Sequence, residues 1–335
     1  MNRLVILAPN WLGDAVMALP AIADVRRVAR DAHIVVAARP RIEPLFRLVP
    51  DVNETVVLEH HAPGGRASTW RTLGSELAGR TFDTALLLPN SFYAALLVSR
   101  AAIPERWGYR TAWRGRLLTR AIDPPSGLHQ VEYYQQLVHA LGFPNGPIEP
   151  RLTVSAPIRA AGARILSDAG HNAGAPIVAL SPGAAYGGAK RWPPQAFAEL
   201  ADALAADGVQ SVLIGSAADA ATGTDVIAHL ARRNDVVNVI GRTDLPMLAG
   251  VLANCRALIT NDSGAMHLAA AVGVSVTAVF GPTDERATRP LGDAHAIVTH
   301  DVWCRPCMLR ECPLDHACMR GIGVGAVLDA ARRTL

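Results

Sequence analysis

Short apolar runs alternate with longer amphipathic stretches from the first residues of this chain. Residues 4–8 read as a buried strand, 14–30 as a helix and 32–37 as a second strand. Residues 56–58 and 84–88 continue the strand series, and a helix is predicted from about Ser91. The pattern is then interrupted by Gly142, Pro144, Gly146, Pro147, Pro150 and Pro157, the punctuation of an interdomain linker. Beyond it the alternation restarts. Strands are predicted at 177–181, 209–215, 236–240, 257–261 and 274–280, with helices at 194–207, 219–232, 244–254 and 263–272 between them. Repeated βα units imply parallel sheets wrapped by helices. The expected architecture is α/β: two Rossmann-like domains, residues 1–155 and 156–335, whose parallel sheets face a central cleft. Ligands of such sheets bind beyond the carboxyl ends of the strands, which directs attention to the loops 10–14, 181–192, 215–219 and 261–264.

Length and composition agree with two cores. The 335 residues are half hydrophobic and 18% charged, about twice the common domain size of roughly 100–150 residues. A net charge of +3 is too small to argue for nucleic acid. Its distribution is more telling: Arg100, Arg106, Arg110, Arg114, Arg116 and Arg120 are opposed only by Glu105 over residues 100–120. Such a cluster either faces phosphates or an anionic membrane, or is a solvated surface stretch. The amino-terminal apolar run is too short for a signal peptide. The longest apolar stretch, 268–280, is broken by Gly273 and Ser275, so no bilayer span is expected and the expected location is the cytoplasm.

Three loops carry candidate chemistry. Ser181, Gly183 and Ala184 open a glycine-rich segment that ends in Lys190, Arg191 and Trp192. Its backbone N–H groups can approach anionic oxygens closely, and the two cations can neutralise phosphate charge. It is not an ATPase P-loop: Gly188 lies one residue too far from Lys190, and no Ser or Thr follows the lysine. An ordinary glycine-rich turn is the plain alternative. Asn261, Asp262, Ser263 and Gly264 join a strand to a helix, where Ser263 or Asp262 either caps the helix or leaves its N–H groups for a phosphate. Asp262 and His267 would then face a sugar. No Asp-x-Asp pair occurs in the chain, which points to metal-independent handling of a diphosphate. At the amino end Asp14 follows Asn10, Trp11, Leu12 and Gly13; it is either a helix-capping carboxylate or a general base.

The cysteines divide one against four. Cys255 stands alone and reads as a small buried hydrophobe. Cys304, Cys307, Cys312 and Cys318 lie within fifteen residues. The first two have zinc-knuckle spacing, the others do not form a standard second half, and His316 is a substitute ligand. A structural zinc, a disulfide staple and free thiols all stay open. His60 and His61 give no usable signal.

Taken together, Asn10–Asp14, Ser181–Ala184, 189–193, 261–267, 281–283 and 304–319 resemble the ADP-heptose:lipopolysaccharide heptosyltransferases, glycosyltransferase family 9. The resemblance spans nearly the whole chain. It implies a GT-B fold with an amino-terminal acceptor domain and a carboxyl-terminal nucleotide-sugar domain. It also implies inverting transfer of heptose from ADP-heptose to the lipid A-linked core oligosaccharide, at the cytoplasmic face of the inner membrane, with peripheral membrane contact. By position, Asp14 resembles the catalytic base and Lys190 the donor-phosphate ligand. Asp262 and His267 would contact heptose, Ser263, Gly264 and Ala265 the phosphates, and Thr243 and Leu245 adenine. Arg110, Arg114 and Arg116 gain acceptor phosphates as partners. No cofactor is required for catalysis on this reading, and a structural zinc at the four cysteines stays open. Other readings are a transferase acting on another glycan or a protein acceptor, a sugar-nucleotide epimerase, and a nucleotide-sugar binding protein without turnover.

Overall fold

The computed structural model describes residues 1–59, 74–232 and 235–334; His60 and His61 lie outside them. The chain divides into two compact units, Met1–Pro150 and Arg151–Leu335. Both have the same plan.

In the first unit the strands are β1 (Arg3–Leu7), β2 (His33–Ala38), β3 (Glu54–Val57), β4 (Thr84–Leu87), β5 (Glu105–Tyr109) and β6 (Arg120–Ile122), in the spatial order β3-β2-β1-β4-β5-β6. In the second they are β7 (Ile177–Ser181), β8 (Gln210–Leu213), β9 (Val236–Asn238), β10 (Ala257–Asn261), β11 (Ser275–Phe280) and β12 (His295–Thr299), in the order β12-β11-β10-β7-β8-β9. Every pairing in both sheets is parallel. Numbered within each unit, both orders are 3-2-1-4-5-6, the doubly wound Rossmann order. The two Rossmann-like domains make this a GT-B fold.

The central strands are apolar on both faces because helices cover both: β1, β2, β7 and β10 bury Val5, Ile6, Val35, Val36, Val178, Leu180, Leu258 and Ile259 almost completely. The predicted helix over 14–30 is two helices, Leu12–Met17 and Leu19–Val28, that meet at Ala18. Pro20 has no N–H to offer the Val16 carbonyl, so the ladder cannot run through. The linker is also held. Asp24, buried in the second of these helices, accepts from Gly146 N at 3.0 Å and Gln135 Nε2 at 2.9 Å. Burial raises the Asp24 pKa above the usual carboxylate value, against these hydrogen bonds and Arg27.

Candidate active site

The chain order reverses between β7 and β10 in the second unit and between β1 and β4 in the first. These are the switch points at which doubly wound sheets take ligands, and Asp14, Lys190 and Asp262 lie on the segments that leave them.

In the second unit, β7 delivers Ser181 to the sheet edge and β10 delivers Asn261, both buried. Asn261 ties the two loops together. Its Nδ2 donates to the carbonyls of Pro182 at 2.8 Å and Gly183 at 3.4 Å, while its Oδ1 accepts from Trp192 N at 3.0 Å. One amide side chain thus fixes both ends of the glycine-rich segment. Trp192 is itself immobilised, donating its indole N–H to Ile322 O at 2.9 Å and packing edge-on against Phe197. Gly183 is required by crowding: a β-carbon there would collide with the Asp219 carboxylate. That carboxylate is spent on the turn before its helix, accepting from Ser216 N and Oγ at 2.9 and 2.8 Å.

Lys190 closes the loop with its Nζ 2.5 Å from Asp262 Oδ2, and the same oxygen accepts from Thr283 Oγ1 at 2.6 Å. Only 12% and 7% of these two charged side chains reach solvent. The ammonium also sits 4.7 Å from the centre of the Tyr186 ring, whose second cationic neighbour is Arg310 at 5.2 Å. Arg191 points outward and is exposed.

Ser263 is the N-cap residue of the helix Gly264–Ala271, yet its side chain does not cap it; the hydroxyl lies 3.1 Å from Thr260 Oγ1 instead. The leading N–H groups of an α-helix lack intrahelical partners, so Gly264 and Ala265 sit where a ligand anion is favoured. His267 is buried in the same helix. Thr243 and Leu245 flank Asp244, which caps the helix Leu245–Leu252 by accepting from Met247 N at 2.8 Å. They lie beyond the end of β9, on the outer side of the same sheet.

At the first unit's switch point, Asp14 stands in the first turn of Leu12–Met17, whose N-cap is Trp11 with no side-chain cap bond. Asp14 is therefore not the cap. Its carboxylate faces Tyr134, whose phenol pKa is raised first by burial and then by this charge. At the ends of β1, β2 and β4 a pocket opens to solvent, with Asn10, Arg39, Glu59, Glu76 and Tyr93 on its walls.

The arginine cluster does not act as one surface. Arg114 is completely buried, and its guanidinium donates to the carbonyls of Tyr109 (2.8 Å), Pro89 and Ser91 (3.3 Å). Burial pushes its pKa down to about 10. It is a structural clamp, not a contact for acceptor phosphates, because its donors are consumed inside the protein. Arg106 is similarly spent on Ile103, Pro104 and Leu117 carbonyls. Arg110 and Arg116 remain exposed, with Asp123 3.6 Å from Arg110.

The candidate structural zinc at Cys304, Cys307, Cys312 and Cys318 is overturned. Among the described residues no three or more His, Cys, Asp or Glu side chains, His316 included, are grouped to hold a metal ion, and all five cysteines are free thiols. What orders the segment is hydrogen bonding to its neighbours. Arg305 Nε donates to Gly281 O at 2.7 Å and its Nη2 pairs with Glu285 at 2.5 Å, while Met308 N donates to Pro282 O. The segment then straps the glycine-rich loop: Ala189 N donates to Arg310 O at 2.9 Å, Gly188 N to Glu311 Oε1 at 2.9 Å and Tyr186 OH to Met308 O at 2.8 Å. Neither this strap nor the bridging role of Asn261 has a signal in the spacing of residues along the chain. The one hint of Thr283 was its place in a Gly-Pro-Thr turn directly after a strand.

Comparison with known proteins agrees with this geometry. The profile of "Glycosyltransferase family 9 (heptosyltransferase)" matches residues 70–318. Lipopolysaccharide heptosyltransferase 2 of Salmonella typhimurium is 33% identical over 307 residues, covering 88% of this chain and 87% of the relative. The solved structure of Escherichia coli ADP-heptose lps heptosyltransferase II, 31% identical, covers 100% of this chain and 98% of its own, with a TM-score of 0.83. A family 9 glycosyl transferase from Veillonella parvula, 20% identical over 99% of this chain and 97% of its own, shares the fold with a TM-score of 0.86. With two thirds of the chain and more matched in each comparison, this protein belongs to glycosyltransferase family 9, the heptosyltransferases.

Proposed function

We propose that the chain transfers heptose from ADP-heptose to the heptosylated Kdo2-lipid A inner core of lipopolysaccharide, with inversion at the anomeric carbon. The observation that carries this reading is the Lys190–Asp262 pair, buried where the loops after β7 and β10 meet. An ammonium held there, beside the start of the Gly264–Ala271 helix, is poised for a diphosphate.

The second unit, residues 156–335 in the proposed division, is the nucleotide-sugar domain. Lys190 neutralises the diphosphate, with N–H groups at Ser263, Gly264 and Ala265 and the backbone of Ser181, Gly183 and Ala184 around it. Asp262 orients Lys190 and, with His267, faces the heptose; Thr243 and Leu245 lie towards adenine. Arg191, at the surface, supplies long-range attraction for the donor. The first unit, residues 1–155, is the acceptor domain. Asp14 takes the proton from the attacking acceptor hydroxyl as that oxygen bonds to the anomeric carbon. The bond from that carbon to the phosphate oxygen breaks on the opposite face, and ADP departs with the bonding electrons. A single displacement inverts the centre and requires no covalent intermediate, as in inverting glycosidases. Charge builds on the departing phosphate, where fixed cations and N–H groups act most strongly.

The acceptor is lipid-linked, so the enzyme works at a membrane surface; among the described residues no helix is long and apolar enough to cross a membrane. Incubation of purified protein with ADP-heptose and heptosyl-Kdo2-lipid A tests the proposal. The expected product is heavier by one heptose and carries inverted anomeric configuration. Donor binding without any product would favour a nucleotide-sugar binding protein, and transfer to a different glycan or a protein would move the acceptor assignment.

A further inference from the structure

The loop after β5 displays a tryptophan instead of burying it. Trp113 is 98% exposed, and both it and Ala112 have left-handed backbone, with φ of 61° and 48°. Residues other than glycine rarely adopt this conformation, so a loop that holds two in succession is built to do so. The builder is Arg114. Its buried guanidinium, bonded to the Pro89, Ser91 and Tyr109 carbonyls, anchors the residue immediately after the tryptophan. Thr111 Oγ1 anchors the residue before Ala112 through Asn90 O at 2.8 Å. The same bonds place this turn against residues 89–91, directly before Phe92, which is 45% exposed. Arg110 and Arg116 flank the turn and are exposed. Asp123 lies 3.6 Å from Arg110.

We propose that this loop is a membrane-docking surface: Trp113 and Phe92 enter the headgroup region of an anionic phospholipid bilayer while Arg110 and Arg116 face its phosphates. An indole prefers the boundary between headgroups and acyl chains, and a basic rim around it selects a negative surface. Such docking would bring the enzyme to the plane in which a lipid-linked acceptor lies. In that respect the inference rests on the heptosyl-transfer reading above, although vesicle binding can be measured without any acceptor.

The test is flotation of the full-length protein with vesicles of phosphatidylethanolamine and phosphatidylglycerol, compared with phosphatidylcholine vesicles. The wild type should float with the anionic vesicles, less so as salt rises, and stay behind with the neutral ones. Trp113→Asn, with a residue that tolerates left-handed backbone, should weaken the partition about tenfold by removing the buried indole. Phe92→Ser should weaken it less. Arg116→Gln should weaken it about fivefold. Trp113→Asn should transfer heptose to a delipidated, water-soluble core acceptor at the wild-type rate. Equal flotation of Trp113→Asn and wild type, or no flotation of the wild type, would overturn the proposal. A raised KM for the soluble acceptor with unchanged flotation would also overturn it, by making the loop an acceptor subsite. Intact flotation in a wild type that transfers no heptose would refute the heptosyl-transfer reading and leave the docking surface standing.

Discussion

The two switch points have the same strand order and opposite character. In the second unit the loops after β7 and β10 are knitted shut by Asn261, by Lys190 and Thr283 meeting on Asp262, and by the strap that ends in Arg310 and Glu311. In the first unit the ends of β1 and β4 leave a pocket open to solvent, with Asp14 beside a buried tyrosine. The difference suits what each unit is proposed to hold. A diphosphate needs several charges and N–H groups at fixed positions, and fixing them in advance avoids the cost of ordering them on binding. An oligosaccharide acceptor needs one hydroxyl placed accurately beside a base, and the rest of it can be accommodated loosely.

The largest effect should come from the open side. Asp14→Ala should lower kcat by about 10²–10⁴-fold while leaving ADP-heptose affinity at the wild-type value, read from steady-state transfer and from titration calorimetry. An unchanged kcat would remove Asp14 as the base. The mirror-image change, Lys190→Met, should lower kcat/KM by about 10²–10³-fold by removing a cation from the departing phosphate, and unlike Asp14→Ala it should weaken the donor complex. It also strands a buried carboxylate, which costs about 3–5 kcal/mol when one partner of a buried pair is removed. A lowered Tm that Asp262→Asn in the same chain largely restores would identify that origin.

The structural side chains of the two units offer a gentler comparison. Asn261→Ala unties both ends of the glycine-rich loop and leaves buried groups unpaired, at about 1–3 kcal/mol; denaturant unfolding should show the loss and transfer kinetics a raised KM for ADP-heptose. Arg114→Met should cost a similar amount of stability through the Pro89, Ser91 and Tyr109 carbonyls, with donor KM unchanged. Equal effects on donor KM would erase the distinction between the units.

The smallest effect concerns the thiols. Burial pushes the Cys255 thiol up to about 12. Since the thiolate is the nucleophile, Cys255 should resist a disulfide reagent at pH 8 until the protein unfolds. Cys304, Cys307 and Cys312, half-exposed, should react first, and the protein as purified should contain no zinc.

Much of this comparison was legible in the amino-acid order, though unevenly. Strands buried on both faces announce themselves as continuous apolar runs, so β7 and β10 were read to the residue and the loops that follow them could be singled out. β5 and β6 were not. Their residues 105–109 and 120–122 carry Glu105, Arg106 and Arg120, because strands towards a sheet edge need not be apolar on both faces, and the arginines read as a charge cluster instead. The helix Ala156–Asp168 hid for a related reason. It buries Gly162 and Leu166 and packs by close backbone approach, with Gly162 against Gly250, leaving little hydrophobic periodicity to see. At the site, residue types suggested Lys190 and Asp262 as separate ligands. Their pairing, the bridge made by Asn261 and the burial of Arg114 depend on residues dozens of positions apart meeting in space, which spacing along a chain does not encode. The cysteines misled for the opposite reason: close spacing imitates a metal site whose geometry the fold does not form.

The central claim is that the second unit's switch point holds the donor diphosphate through Lys190 while Asp14 serves only the acceptor. Calorimetric titration of ADP into wild type, Asp14→Ala and Lys190→Met tests it most directly. The account predicts equal affinity for wild type and Asp14→Ala, and an affinity weaker by about tenfold or more for Lys190→Met, as loss of a charge-assisted contact of about 1.5–3 kcal/mol requires. Wild-type affinity in Lys190→Met, or weakened binding in Asp14→Ala alone, would contradict it.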